Sequence, residues 1–242
     1  MLTDIIVQGE RKLSTGLAGL DEMIDGGFME NTVTALIGDS GIGRTTIALQ
    51  FLVGGVTEGE NVLFISLTHD INRLKKKLLD MYPWIEDKLD HQLHFMKLDP
   101  KNFDSLSYYL GNGLPELLRN LSISRLVIDP LTIYEESLRI NDNVPIMSVY
   151  HIYWTLKSIP CTSFIVLSTS SARSLQSMSG YSEEFADNVI LLFREFPKDT
   201  YLNPYKKVLL VLKTRYNRHE HSGKVLEFDE RGVAYLTKPE NV

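Results

Sequence analysis

The densest chemical signal in this chain is Gly38-Asp39-Ser40-Gly41-Ile42-Gly43-Arg44-Thr45-Thr46. Its spacing, G-x-x-x-x-G-x-T, is that of a phosphate-binding loop with one alteration. Glycines let successive backbone N–H groups turn inward around a di- or triphosphate, and the helix that follows points its positive end at the same anion. Thr45 stands where a hydroxyl would ligand Mg²⁺. The alteration is Arg44. The pattern asks for lysine, a compact point charge, and the longer, forked guanidinium is no simple substitute. The context fits: the apolar run Val33 to Ile37 precedes the loop, and Thr46 to Val53 follows as an amphipathic run. That is strand, loop, helix. Stripped of this chemistry, the same residues are a glycine-rich turn before an ordinary helix.

Two further stretches could serve the same site. Ser124-Arg125-Leu126-Val127-Ile128-Asp129 reads as a mostly apolar strand ending in an acid. Asp129 can hold Mg²⁺ through water beside the Thr45 hydroxyl; alternatively it is a turn residue set by Pro130. Thr68-His69-Asp70 follows the β-rich run Val62 to Leu67. Thr68 is no general base, whereas His69 can accept a proton near neutral pH. The plainer reading makes these three residues a helix N-cap for Ile71 to Met81. Arg73, Lys75, Lys76 and Lys77 on that helix read as a solvated charged face.

The elements that must position these groups are legible in outline. Leu93 to Leu98 is a short strand, and Asp104 to Leu121 a helix weakened at Gly111-Asn112-Gly113. Leu131 to Ile140 reads as a loop or broken helix. Pro145 opens a helix over Ile146 to Ser158, whose Tyr150, Tyr153 and Trp154 suit core or subunit contacts. Thr162 to Leu167 and Asn188 to Phe193 are strands, and the chain closes as a β-meander: Lys206 to Leu212, then a hairpin of Lys224 to Phe228 with Gly232 to Leu236.

The 242 residues, 43% of them hydrophobic, suit one domain over 1–242 with a buried core. No apolar run approaches the ~18 residues that span a membrane. Met1 to Arg11 shows no secretory pattern. The single Cys161 favours a reducing, cytoplasmic setting. A formal net charge of -6 argues against sequence-independent DNA binding as the main role.

Ahead of the phosphate loop stands Leu13-Ser14-Thr15-Gly16-Leu17-Ala18-Gly19-Leu20-Asp21, closed by Gly26-Gly27. With the loop, Leu13 to Leu52 resembles the opening of the KaiC/RadA-like branch of the RecA-type ATPases, in which S-T-G-x-x-x-L-D-x-x-x-x-G-G stands at about this distance. The resemblance runs on to about Leu236. It implies an α/β, RecA-like P-loop core: a twisted, mostly parallel sheet flanked by helices, with ATP and Mg²⁺ at the carboxyl ends of the strands. It implies that a Glu pair should stand at Thr68 and His69, so its loss points to weak or absent hydrolysis. It also implies a γ-phosphate sensor near Ser168 and a channel- or DNA-facing loop over Ser170 to Ser182. The family's K-x-R-x-x-x-H is matched by Lys213, Arg215 and His219, which in ring assemblies reach the neighbour's γ-phosphate as an arginine-finger device. The family's glycine after the arginine is Tyr216 here.

Three functions follow from that resemblance. One is an ATP-binding KaiC-like regulatory protein, with nucleotide at the interface of a homo-oligomeric ring or of related RecA-like subunits. The second is a RadA-like recombination accessory acting with DNA or a recombinase. The third is a scaffold without nucleotide. Arg44, the missing Glu pair and the acidic balance favour the first.

Overall fold

A computed structural model describes residues 11–141, 145–169, 176–196 and 205–239. Residues 170–175 of the expected channel-facing loop lie outside the described residues. The chain enters through a small antiparallel pair, β1 (Lys12–Leu13) and β2 (Phe28–Met29), around the short helix α1 (Leu20–Met23). Then β3 (Val33–Gly38), buried throughout, runs into the glycine loop and α2 (Arg44–Thr57). There follow β4 (Asn61–Ser66), α3 (Ile71–Met81) and β5 (Leu93–Lys97). Next come α4 (Phe103–Tyr108), α5 (Leu114–Asn120), β6 (Ile123–Asp129), α6 (Thr132–Asn141) and α7 (Pro145–Lys157). The chain ends with β7 (Thr162–Ser168), α8 (Ser182–Phe185), β8 (Asn188–Glu195), β9 (Lys206–Thr214), β10 (Lys224–Phe228) and β11 (Ala234–Thr237).

Strands β3 to β11 form one nine-stranded sheet in the order β11-β10-β9-β8-β3-β7-β6-β4-β5. Every pair from β8 to β5 is parallel, and β8-β9, β9-β10 and β10-β11 are antiparallel. This is the mixed, mostly parallel sheet with a terminal meander that the sequence predicts. The parallel strands are near-continuous apolar runs because helices cover both faces. On one face Leu36, Phe164 and Val166 pack under α2 and α3; Phe51 of α2 stacks on Phe164 with ring centroids 5.2 Å apart. On the other, Val33, Ala35, Ile37 and Ile165 meet Val149, Ile152 and Leu156 of α7.

Three local expectations change. Thr46 to Val53 is buried on every side rather than amphipathic, since α2 lies between the sheet and the opening motif. Leu131 to Ile140 is not a loop or broken helix: Thr132, Tyr134, Glu135 and Leu138 are buried at helical spacing, which holds α6 continuous. The weak spot at Gly111 to Gly113 is a π-helical stretch, Tyr109–Gly113, that joins α4 to α5 without a break.

The Ser14-Thr15-Gly16 motif fastens the back of α2 and does not reach the phosphate loop. Asp21 accepts from the Ser14 hydroxyl at 2.8 Å and the Thr15 N–H at 2.7 Å. Gly16, at φ 71°, lies so close to α2 that a Cβ there would stand 2.1 Å from the Gln50 carbonyl oxygen. Gln50 donates to the carbonyls of Gly16 at 3.2 Å and Ala234 at 2.9 Å, and accepts the Ala234 N–H at 2.7 Å. Beneath it, the fully buried Arg125 donates to Glu60 at 2.5 Å and to the Ser14 carbonyl at 2.6 Å, over the face of Phe51.

Candidate functional site

The glycine loop after β3, the carboxyl end of β6, the Thr68-His69 stretch after β4 and the first turn of α2 enclose a cleft of about 470 Å³. Its lining includes Ser40, Gly41, Gly43, Arg44, Thr45 and Thr46 of the loop, with His69 and Asp129 opposite. These sequence-predicted residues therefore meet in one place. The other three line the loop differently: Gly38 ends β3 against Leu192, the Ile42 side chain is fully buried, and the Asp39 carboxylate turns away to Arg194. Gly41 and Gly43 hold positive φ, 72° and 120°. A Cβ on Gly43 would stand 2.6 Å from the Phe228 ring, so only glycine leaves the cradle open. Gly43 caps α2 without a side-chain bond. The first-turn N–H groups, which have no partner within a helix, are thus left for an anion.

The two residues expected at a metal stand in direct contact. The Thr45 hydroxyl donates to Asp129 Oδ2 at 2.7 Å. Two hard oxygen donors at this spacing suit Mg²⁺, which takes its remaining ligands from water and phosphate. The described residues contain no group of three or more His, Cys, Asp or Glu able to hold a metal ion.

His69 joins the same pair, its Nε2 standing 3.4 Å from Thr45 Oγ1 and 3.6 Å from Asp129 Oδ2. The stretch that carries it is also the helix cap: Asp70 accepts from the Arg73 N–H at 3.0 Å. The cap reading of Thr68-His69-Asp70 is met by Asp70, while His69 stands beside Thr45 and Asp129.

Arg44 does not point freely into the cleft. One guanidinium nitrogen donates to the Leu167 carbonyl and, at 2.9 Å, to the Ser168 hydroxyl, so the side chain is tied to the end of β7. Burial lowers its proton affinity, opposed by Asp129 and Asp39.

Four contributors were not expected from sequence. Arg194, at the end of β8, bridges to Asp39 and donates to the Ser40 carbonyl at 2.6 Å, clamping the loop. Lys207 and Phe228, from the meander, line the cleft, with the ammonium 4.4 Å from the ring centroid. Lys77 also lines it, and donates to the Thr46 hydroxyl at 2.6 Å. The α3 cations are therefore not a uniform solvated face. Lys75 binds Asp90, Lys76 is exposed, and Lys77 turns inward. The usable signal was its register, one residue before Leu78 in the buried stripe Leu74, Leu78 and Met81.

Lys213, Arg215 and His219 lie at the opposite end of the sheet. Thr214 pairs with Asn188, which pairs with Thr34 at the start of β3. From there to Gly38 is roughly 13 Å of strand, so these side chains do not join their own chain's cleft. Lys213 itself belongs to β9 rather than to the loop after it, and its ammonium donates to the carbonyls of Glu183, Glu184 and Ala186. Burial, Arg215 and Lys157 lower its proton affinity. Arg215 donates to the Glu184 carbonyl at 3.1 Å and is 45% exposed. His219 meets the Thr214 hydroxyl at 3.0 Å, its basicity lowered by burial and by His221.

Comparison with known proteins yields consistent matches. The family model described as "ATPase: KaiC" matches residues 13–240. The circadian clock protein KaiC3 of Synechocystis sp. is 26% identical over 203 residues, 79% of this chain but 39% of KaiC3. The chain thus spans about two fifths of that relative's length. A UPF0273 protein of Thermotoga maritima is 23% identical over 92% of this chain and 95% of its own length. Among solved structures, a KaiC-like protein of the hyperthermophilic archaeon Pyrococcus horikoshii superposes with a TM-score of 0.77 at 24% identity, covering 94% of this chain and 99% of that one. That likeness is one of fold.

Proposed function

Starting from the chain's membership of the KaiC family of ATPases, we propose that it holds ATP with Mg²⁺ in the cleft above α2, hydrolyses it slowly if at all, and uses it to regulate assembly. Membership makes this a nucleotide-binding protein of the RecA-type P-loop class. The observation that carries the finer reading is the Thr45–Asp129 contact of 2.7 Å at the mouth of an open glycine cradle. Arg44, Lys77 and Lys207 line this cleft against a single carboxylate, Asp129. That balance suits a polyanion although the chain as a whole is acidic.

In this reading the loop from Gly38 to Thr46 wraps the phosphates with backbone N–H groups. Thr45 and Asp129 would hold Mg²⁺, which would supply positive charge to the phosphate oxygens. Slow turnover follows from what stands opposite. Thr68 offers no base, and the His69 imidazole is turned onto Thr45 and Asp129. A positioned general base contributes about 10² to 10⁴-fold, so its loss removes decades of rate.

Placement of Lys213, Arg215 and His219 at the far end of the sheet supports an interface role, in which a neighbouring copy presents them to this copy's ATP. Arg215 is the half-exposed cation suited to the contact, and Lys213 holds the turn beneath it. One nucleotide-binding domain over 1–242 is part of the proposal, supported by the single sheet that β3 to β11 share. The test is equilibrium MgATP binding with phosphate release and particle size followed in the same samples. Binding with little release and a shift to larger species is the expected result. Absence of binding would overturn the proposal in favour of a scaffold.

A further inference from the structure

An ammonium enters the cleft where a triphosphate would lie, and it comes from outside the phosphate loop. Lys77 sits on α3 between Leu74 and Leu78, and both leucines pack into the core beneath α2. That register aims its stem across the cleft, and its Nζ reaches the hydroxyl of Thr46 in the first turn of α2 at 2.6 Å. Thr46 belongs to the turn whose N–H groups face the anion.

Three observations set Lys77 apart from its neighbours. Lys75, two residues earlier, pairs with both carboxylate oxygens of Asp90 at 2.8 and 2.9 Å, and Lys76 is exposed. Among the described residues, Lys77 has the Thr46 hydroxyl as its hydrogen-bond partner and no carboxylate within ion-pair distance. Arg44, which stands where the loop's own cation belongs, is tied to Leu167 and Ser168 at the end of β7. A partly desolvated ammonium with one neutral partner is poorly compensated, and an anion brought beside it would offset that cost. Burial lowers its proton affinity and Asp129 opposes the shift.

We infer that Lys77 is the phosphate-binding cation of this cleft, standing in for the lysine that the loop lacks. The inference rests on the reading of the cleft as an ATP site. It moves the charge from the loop to α3, so that the cradle and its cation belong to different elements.

The experiment is MgATP titration by calorimetry on the full chain and on Lys77→Met, Lys77→Gln, Lys77→Arg and Lys76→Met, with thermal unfolding of each. Loss of a hydrogen bond from a charged donor predicts MgATP binding weaker by about 10- to 100-fold in Lys77→Met. Lys77→Gln keeps a donor for Thr46 without charge and should lose as much. Lys77→Arg should recover most of the affinity, and Lys76→Met should match the parent. A parent that binds MgATP while Lys77→Met or Lys77→Gln binds it equally well overturns the role of Lys77 and leaves the nucleotide site standing. A parent that binds no MgATP overturns the nucleotide site and this inference with it.

Discussion

Replacing Arg44 by lysine restores the residue that a phosphate loop ordinarily carries, and its outcome can be worked from the tether on Arg44. The guanidinium donates to the Leu167 carbonyl and the Ser168 hydroxyl. Each such bond from a charged donor is worth on the order of 1.5–3 kcal/mol. To meet a phosphate with that nitrogen, Arg44 must release at least one of them. Lysine ends one bond short of the nitrogen that makes this tether, so it gives up less on reaching the phosphate. A difference of about one bond predicts MgATP binding roughly 10- to 100-fold tighter in Arg44→Lys. Loss of one tether bond should lower folding stability by about 1.5–3 kcal/mol. Turnover should stay slow, because the substitution supplies no base at Thr68 and leaves His69 on Thr45 and Asp129. Calorimetric titration gives the affinity, and phosphate release from saturated protein gives the rate. Weaker ATP binding refutes the tether argument. Release on the order of 1 per second, an ordinary enzymic rate, refutes the claim that Thr68 and His69 limit hydrolysis.

Asp129→Asn removes the carboxylate that accepts from Thr45, so ATP affinity should lose its dependence on Mg²⁺; titrations with Mg²⁺ and with chelator check this. Gly16→Ala should lower stability by about 3 kcal/mol or more, because positive φ and a contact of 2.1 Å with the Gln50 carbonyl oxygen act together. Gly59→Ala, at φ 80° with nothing near its Cβ, should cost only about 1 kcal/mol, and paired thermal melts compare the two. Glu135, which accepts from Ser179 and Ser182, has its proton affinity raised by burial and by the nearby Glu183 and Glu136. Above the ordinary glutamate value of 4.5 the unfolded chain has released this proton while the folded one still holds it. Stability from this group therefore falls as pH rises through that window. Glu135→Gln should remove this component, read as a flatter dependence of the denaturant midpoint between mildly acidic and neutral pH.

The parts of the site that sequence made legible are those fixed by contiguous pattern. Gly38 to Thr46 combines spacing with a strand before and a helix after, and Asp129 ends a buried strand. What was illegible depends on contacts across long separations. Arg194 follows an apolar strand like many others, and only the pairing of β8 with β3 brings it to Asp39. Phe228 reads as a hairpin residue until the meander folds it against Gly43. Lys77 was hidden by its neighbours: three consecutive lysines suggest one face, whereas a helix turns by about 100° per residue and sends them three ways. For α6 the misleading signal was local, since β-branched Thr132, Ile133 and Ile140 disfavour helix while buried Tyr134 and Leu138 impose it.

Gln50 gives the floor of the cleft a mechanical character. It lies on the same helix whose first turn faces the phosphates, and it exchanges two bonds, of 2.9 and 2.7 Å, with the backbone of Ala234 at the start of β11. Sliding α2 along its axis would break both, together with the Gly16 contact. The helix therefore behaves as a post set in the sheet's outermost strand. The turn that lines the cleft and the far margin of the sheet are thus joined by one buried side chain, so the two share a single fixed register.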